Sequence, residues 1–155
     1  MAISPNTTFT ASVLTTAQMN NFPRGIVAFA QVTANDNTIT AEEIQITSST
    51  FTAVANRYYR ITYYEPQVTR PATAGAYVYS RIRLTNLAGT QYQLGIAQNE
   101  GAVQTPSAMT TVWVGTLSAG STVIVATLQC SSGTAGAARS ATQPGQITIE
   151  DIGPA

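Results

Sequence analysis

The chain has 155 residues, with no histidine, no lysine and one cysteine, and its seven arginines balance seven acidic residues. Histidine, lysine, cysteine and carboxylates carry most enzyme catalysis, so this composition argues against an enzyme. Zero formal net charge leaves few surplus cations for phosphates, which excludes nucleic-acid binding through a basic patch. The length predicts one domain with its own core, and the low charge favours self-association.

The N-terminal sequence lacks the pattern of a secretory signal. Residues 1–5 contain neither a basic nor an apolar region of the required kind. The longest apolar runs, 26–30 and 123–126, have only the length of strands, so no membrane insertion is expected. Cys130 has no partner cysteine and no histidine to activate it, so we expect a small buried residue at a strand end.

The first part of the chain differs from the rest. Thr15 and Gln18 have the spacing of a capping box, which predicts one or two helical turns that end near Pro23. We predict an N-terminal attachment arm over residues 1–24 and a β-sandwich domain over residues 25–155. The apolar candidates for docking by this arm are Phe9, Val13, Leu14, Met19 and Phe22.

From Gly25 onward, short segments rich in Val, Ile, Thr and Tyr alternate with turn residues. No helical crossover pattern separates them, so we predict an all-β fold, an antiparallel β-sandwich of the jelly-roll type with eight or nine strands. Turns are predicted at 35–37, 87–89 and 119–120, and a loop rich in Gly, Ala and Ser at 131–145. The predicted strands are 26–33, 43–47, 51–54, 58–65, 76–86, 90–97, 110–117, 122–129 and 146–152.

Alternation along two of these strands separates a core face from an outer face. The predicted core positions are Tyr59, Ile61, Tyr63, Val78, Ile82 and Leu84. The opposite positions carry tyrosine and arginine, which are enriched at interface cores. The predicted subunit-interface residues are Tyr58, Arg60, Tyr64, Tyr77, Tyr79, Arg81 and Arg83.

A second interpretation of these tyrosines and arginines is open. Long amphipathic side chains also cover the outside of an ordinary sheet, and tyrosine has a high strand propensity. The absence of lysine, the usual residue that keeps a sheet in water, favours the interface.

The acidic residues form no catalytic pattern. Glu42 and Glu43 are neighbours, as are Glu150 and Asp151, and neighbours on a strand point to opposite faces. We expect a solvated turn at Glu42 and Glu43 rather than an acid–base pair. Residues 35–37 lack the closing glutamate of a calcium loop. We therefore expect no catalytic residues, no metal ligands and no cofactor.

Trp113 follows an alternating pattern with Thr111 and Gly115 on the same face. An apolar strand flanks it, which favours packing in the core or at a subunit contact. The alternative is an exposed platform on which a glycan ring stacks.

Two internal segments resemble those of known β-sandwiches. Residues 51–63, FTAVANRYYRITY, resemble the F-t-a-x-a-G-r-x-Y-r-I/V-t strand pair of phage virion jelly rolls. Those domains resemble the trimeric complement-head and tumour-necrosis-factor sandwiches. Residues 113–123, WVGTLSAGSTV, are similar to their L-x-a-G-d-t-V turn. Asn56 stands where glycine is common, and Ser121 where aspartate is common.

The two ends carry more specific resemblances. Residues 147–155, ITIEDIGPA, resemble the hydrophobic-x-V/I-E-D-I-G-P ending of minor virion and tail proteins of actinobacterial tailed phages. Residues 9–20, FTASVLTTAQMN, resemble the F-x-x-G-x-V-L-T-A-A-x-x-N opening of phage fibre and appendage proteins, with Ser12 in place of glycine.

The resemblance implies a structural protein of a bacteriophage virion, assembled in the bacterial cytoplasm and located at the virion surface. It would be a homotrimer that serves host attachment as a minor tail or fibre protein, or reinforces the head as a capsid decoration. Its partners would be its own copies and other capsid or tail proteins. The alternative is a carbohydrate- or receptor-binding jelly roll whose partner is a host surface glycan.

Overall fold

The computed structural model describes residues 15–100 and 106–155. Most of the described chain forms strands, as predicted. The elements are α1 (Thr16–Asn20), β1 (Gly25–Val32), β2 (Asp36–Ile39), β3 (Glu43–Thr47), β4 (Phe51–Ala53), β5 (Arg57–Thr69), β6 (Tyr77–Leu84), β7 (Gln91–Gln98), β8 (Pro106–Thr116), β9 (Gly120–Thr122), β10 (Ile124–Cys130), β11 (Ala135–Ala137) and β12 (Gly145–Pro154).

Two antiparallel sheets stack face to face. Sheet I places β1, β12, β5 and β8 side by side, and β11 and β2 extend it beside the C-terminal end of β5. Sheet II has the order β3-β10-β6-β7, and β4 pairs with β9 as a small third sheet. The long strands pass between the two sheets in jelly-roll order, so the predicted all-β fold is confirmed.

The core lies between the sheets and follows the predicted alternation. Tyr59, Ile61 and Tyr63 on β5 are at most 1% exposed, and Val78 and Ile82 on β6 are fully buried. Facing strands complete the core with the side chains of Ile39, Ile46, Val68, Ile124, Ala126, Leu128, Ile147 and Ile149. Cys130, the last residue of β10, is buried, and its thiol donates to the carbonyl oxygen of Ser132 at 2.9 Å, as expected for a small buried residue.

Three short strands were not predicted, among them β9, which overlaps the turn expected at 119–120. β2 lies where a turn was expected at 35–37, and β11 lies inside the predicted loop 131–145. β11 pairs with β5 on one side and β2 on the other, so tertiary pairing overrides the turn composition. Small residues permit this close approach, because a Cβ at Gly136 would lie 2.9 Å from the side-chain oxygen of Asn37.

The predicted capping box is present at the start of α1. The Gln18 N–H donates to Thr15 Oγ1 at 3.2 Å, and the Thr15 N–H donates to Gln18 Oε1 at 2.9 Å. Met19 and Phe22 have exposed side chains. Phe9, Val13 and Leu14 lie outside the described residues, so the docking role of residues 1–24 stays a prediction.

Asn56 adopts a left-handed backbone conformation, with φ of +58°. Glycine adopts this region freely, and asparagine does so more readily than most other residues. Asparagine in place of the common glycine therefore preserves the turn between β4 and β5.

Candidate interaction surfaces

The predicted interface residues lie on two opposite outer faces rather than on one. Those on β5 belong to sheet I and those on β6 belong to sheet II, so the thickness of the sandwich separates them. Their role as a subunit contact stays a prediction. The sheet I group is Tyr58, Arg60 and Tyr64, and the sheet II group is Tyr77, Tyr79, Arg81 and Arg83.

The outer face of sheet I combines these residues with exposed aliphatic and aromatic side chains that the sequence analysis did not single out. Strand pairing puts one row of outward side chains in the order Ile26, Glu150, Arg60 and Val114. The next row has the order Phe29, Thr148, Thr62 and Val112. The large hydrophobic side chains exposed on these four strands are Ile26, Phe29, Tyr64, Val112, Val114 and Ile152.

An ion pair crosses the middle of this apolar face. Arg60 Nε donates to Glu150 Oε2 at 2.7 Å, between an exposed arginine and a half-buried glutamate. The hydrogen bond from Arg60 holds the pKa of Glu150 below its ordinary value, so the carboxylate is charged at neutral pH. The face therefore presents one positive and one negative group, with apolar side chains at both ends of their row and two threonines beside them in the next row.

The outer face of sheet II carries a polar cluster centred on Glu42. Arg83 Nε and Nη2 donate to Oε1 and Oε2 of Glu42 at 2.6 and 3.0 Å, and the Thr127 hydroxyl donates to Oε1 at 2.7 Å. Burial raises the pKa of Glu42, but these hydrogen bonds and the charges of Arg81 and Arg83 bring it below its ordinary value. The expected solvated turn is wrong for Glu42, because the carboxylate is half-buried and paired.

Arg81 lies beside this cluster and is less completely paired. Its Nη1 is 3.6 Å from Glu42 Oε2, and this buried nitrogen has no hydrogen-bond partner among the described residues. Its guanidinium carbon lies 5.0 Å from the ring centre of Tyr79. The rings of Tyr79 and Tyr77 stack at 6.1 Å, and Tyr77 is exposed.

A buried ion pair joins the start of β5 to the last strand, β12. Arg57 donates to both carboxylate oxygens of Asp151, and its Nη1 and Nη2 donate to the carbonyl oxygens of Asn20 and Phe22 at 2.6 Å each. Burial raises the pKa of Asp151, but the hydrogen bonds from Arg57 and Gly153 hold it below its ordinary value. Arg57 therefore fixes residues 20–22 against the sandwich.

A second buried ion pair lies at the other end of the sandwich. Arg139 Nε donates to both oxygens of Glu65, at 3.1 and 2.9 Å, and its Nη2 donates to Gln45 Oε1 at 2.6 Å. Gln45 Nε2 in turn donates to Asp36 and Glu43, at 3.0 Å each. The expected solvated turn is therefore also wrong for Glu43.

The carboxylates of this second network have unlike pKa values. Burial raises the pKa of Glu65 and of Glu43, whereas hydrogen bonds from Gln45 and Thr38 outweigh burial and lower the pKa of Asp36 to about 2. Each of these carboxylates is held by hydrogen bonds or an ion pair, which is typical of a structural polar network between strands. Within residues 15–100 and 106–155, no group of three or more His, Cys, Asp or Glu residues could hold a metal ion.

Trp113 lies on the inner side of β8. Its ring is 4.6 Å from that of Tyr92 on β7 and packs against the core, and a Cβ at Gly115 would collide with it. The two rings close the gap between the edge strands of the two sheets. This is the position that core packing predicts, but Trp113 is half-buried, so the glycan platform at this residue stays a prediction.

No protein-family model matches the chain, and no curated protein sequence matches it. Among solved structures, a tumour-necrosis-factor protein, Eiger from S. frugiperda, is 8% identical, with a TM-score of 0.48 over 85% of this chain and 96% of that one. The infectious bursal disease virus Gx strain structure is 13% identical, with a TM-score of 0.34 over 97% of this chain and 43% of that one. The VP2 subviral particle of the same virus is 9% identical, with a TM-score of 0.29 over 97% of this chain and 43% of that one. Identities and TM-scores this low assign no function.

In the described part of the chain, no helix is long and apolar enough to span a membrane.

Proposed function

We propose that this chain is a non-catalytic structural protein of a bacteriophage virion, which self-associates through the outer face of sheet I and stands at the virion surface. The exposed apolar face of sheet I is the observation that carries the self-association. The phage assignment draws on the resemblance of segments 9–20 and 147–155 to phage appendage proteins. Tail and capsid are both compatible positions. The resemblance implies three copies, whereas a face-to-face contact in reversed orientation closes with two, and the measured mass distinguishes these numbers.

The outer face of sheet I is suited to bind a second copy of this chain. Arg60 and Glu150 lie side by side at its centre, so a second copy in reversed orientation places each charge opposite its complement. The surrounding side chains are apolar, including Ile26 and Val114, which are 64% and 53% exposed. When two copies pack together through this face, its apolar side chains are removed from water and its ion pairs are kept.

The size of the face is compatible with a specific contact. Four strands about 4.8 Å apart, each contributing about seven residues at ~3.3 Å, give a flat footprint of roughly 450 Å². Two copies then bury roughly 900 Å², close to the ~1,000 Å² expected of a specific interface. Face-to-face contact therefore has about the area of a small specific interface.

The test compares two substitutions at equally exposed positions on opposite faces. Val114→Glu adds a carboxylate beside Arg60, which already pairs with Glu150, so two stacked copies would bury two unbalanced negative charges at a cost of several kcal/mol, and this variant stays monomeric. Ile96→Glu, at 56% exposure on sheet II, associates like the unmodified chain. Both keep their fold because exposed substitutions cost within about 0.5 kcal/mol. Light scattering after size-exclusion chromatography gives the masses.

Equal masses for the two variants and the unmodified chain would contradict the sheet I interface. The virion role has a separate test, in which labelled protein is mixed with particles that lack it and then pelleted with them. Co-sedimentation with tail or head fractions supports the proposed location. A stable monomer that binds neither fraction would overturn the function as a whole.

A further inference from the structure

We propose that a cavity at one end of the sandwich binds a single neutral sugar ring, with hydroxyl groups of its rim as hydrogen-bond partners and Tyr92 as its aromatic wall. The cavity lies between the loop that follows β6 and the turn that joins β8 to β9, and its volume is about 180 Å³. The proposal goes beyond self-association, because this site requires only one copy of the chain. The lining includes Thr85, Tyr92, Ser118, Ser121 and Thr122.

Thr85 forms part of the rim in a backbone conformation that is costly for its residue type. Its φ is +64°, in the left-handed region that β-branched residues rarely adopt, whereas glycine adopts it freely. The Thr85 N–H donates to the carbonyl oxygen of Val123 at 2.9 Å, and the Leu84 N–H donates to that of Thr90 at 3.0 Å, so the loop holds this conformation. Strained residues of this kind are concentrated at ligand sites, so the retained threonine side chain indicates a binding role.

The rim offers hydroxyl groups that the rest of the described chain does not use. The side chains of Thr85, Ser118 and Ser121 are exposed, and their hydroxyls make no hydrogen bond within the described residues. Thr122 is buried, and its hydroxyl donates to the carbonyl oxygen of Gly120 at 3.1 Å. A hydroxyl both donates and accepts, so three such groups around one cavity match the hydroxyls of a sugar.

Tyr92 supplies the apolar surface that a sugar ring also needs. It is half-buried and lines the cavity. Its ring lies 4.6 Å from that of Trp113, which fixes its orientation. An aromatic ring packs against the C–H face of a sugar, and the tyrosine hydroxyl adds a polar group at its edge.

Charge and size select the class of ligand. None of the described residues that line the cavity is charged, so the cavity offers no ion pair to an acidic or a basic ligand. At ~30 Å³ for each water molecule, its volume is the share of about six waters, which admits one ring rather than a chain of rings. A neutral monosaccharide at the end of a glycan meets both conditions.

The test uses free galactose, glucose, rhamnose and N-acetylglucosamine with the unmodified chain. Ligand-observed NMR measures each affinity, and Trp113, the single tryptophan, reports binding beside Tyr92 through its fluorescence. We expect at least one sugar to bind with a dissociation constant of about 1 mM, the range of a ligand with about a dozen non-hydrogen atoms. Galacturonate should bind no more tightly than galactose, because the cavity offers its carboxylate no cation.

Variants at Thr85 separate binding from folding. Thr85→Gly relieves the strained backbone but removes the hydroxyl, so it should keep or raise the melting temperature while weakening sugar binding about fivefold. Thr85→Ser retains the hydroxyl and should bind like the unmodified chain. Ser121→Ala should weaken binding by a similar factor. The matched control is Thr110→Ala, which removes an exposed hydroxyl from the outer face of sheet I and should leave the affinity unchanged.

Three results would overturn the proposal. They are no binding of any of the four sugars, binding that leaves the Trp113 fluorescence unchanged, and equal affinities of Thr85→Gly, Ser121→Ala and the unmodified chain. Tighter binding of galacturonate than of galactose would contradict the neutral class of ligand. Thermal unfolding confirms that each variant is folded, and Ser121→Ala, at an exposed position, keeps the test decisive if Thr85→Gly does not fold.

Discussion

Replacement of Arg57 by methionine should separate the arm from the domain that follows it. In the intact chain, Arg57 pairs with the buried carboxylate of Asp151 and donates to the carbonyl oxygens of Asn20 and Phe22. Methionine keeps much of the buried volume but leaves Asp151 without its main partner and frees both carbonyls. The variant therefore tests whether one side chain fixes residues 20–22.

The expected cost is about 3 kcal/mol in the free energy of unfolding at pH 7. Breaking a buried ion pair by removing one partner costs 3–5 kcal/mol. The lower end applies because Arg24 Nε lies 3.8 Å from the same carboxylate and takes over part of the interaction. Arg24→Gln is the matched control, since the Arg24 side chain is 48% exposed and its loss should cost within about 0.5 kcal/mol.

The pH dependence of the two proteins gives an independent check. The folded pKa of Asp151 lies below its ordinary value of 3.8, so the pair stabilises the fold above that pH and the stabilisation is lost as the pH falls through the lowered pKa. The difference between the unmodified chain and Arg57→Met should thus be largest at neutral pH and shrink below about pH 3.8.

Urea denaturation measures these free energies of unfolding. Limited proteolysis measures how firmly residues 20–22 are held against the sandwich. Trypsin cleaves after arginine, and Arg24 lies between α1 and β1, so cleavage there removes residues 1–24. Arg57→Met should speed this cut, because residues 20–22 lose their anchors. A cost for Arg57→Met no larger than that for Arg24→Gln, or an unchanged rate of cleavage, would refute the role of Arg57.

Two further substitutions test the interior and a turn. Arg139→Met should destabilise the fold by about 3–5 kcal/mol at pH 7 because it leaves the buried carboxyl of Glu65 without its guanidinium partner, and added Glu65→Gln should recover part of this loss in urea denaturation. A double variant less stable than Arg139→Met would contradict this coupling. Asn56→Val should cost about 1–2 kcal/mol because of the positive φ, whereas Asn56→Gly should change the free energy of unfolding by less than about 0.5 kcal/mol. Equal melting temperatures for the two Asn56 variants would refute the turn argument.

The strands whose inner and outer faces the sequence assigned are those with a clear period of two. β5 and β6 carry alternating buried and outward residues, and this pattern alone determined which side chains enter the core. β2 and β11 carry turn-forming or small residues, and their strand conformation depends on pairing with each other and with β5. The composition of a short segment does not indicate such pairing.

Alternation assigns a residue to the inside or outside of a sheet, but it does not identify the sheet. β5 and β6 follow each other in the chain, yet the jelly-roll connection places them in different sheets. The outward arginines Arg60 and Arg81 were therefore predicted to share one surface and instead lie on opposite ones. The ion pair between Arg57 and Asp151 joins residues 94 positions apart, a distance over which the sequence gives no pairing signal.

Sedimentation equilibrium of the unmodified chain over a range of concentrations tests the central proposal most directly. The chain has a mass of 16.3 kDa, and association through the outer face of sheet I predicts a rise to a whole-number multiple of that mass as the concentration increases. A mass of 16.3 kDa at every concentration would contradict a self-associating structural protein.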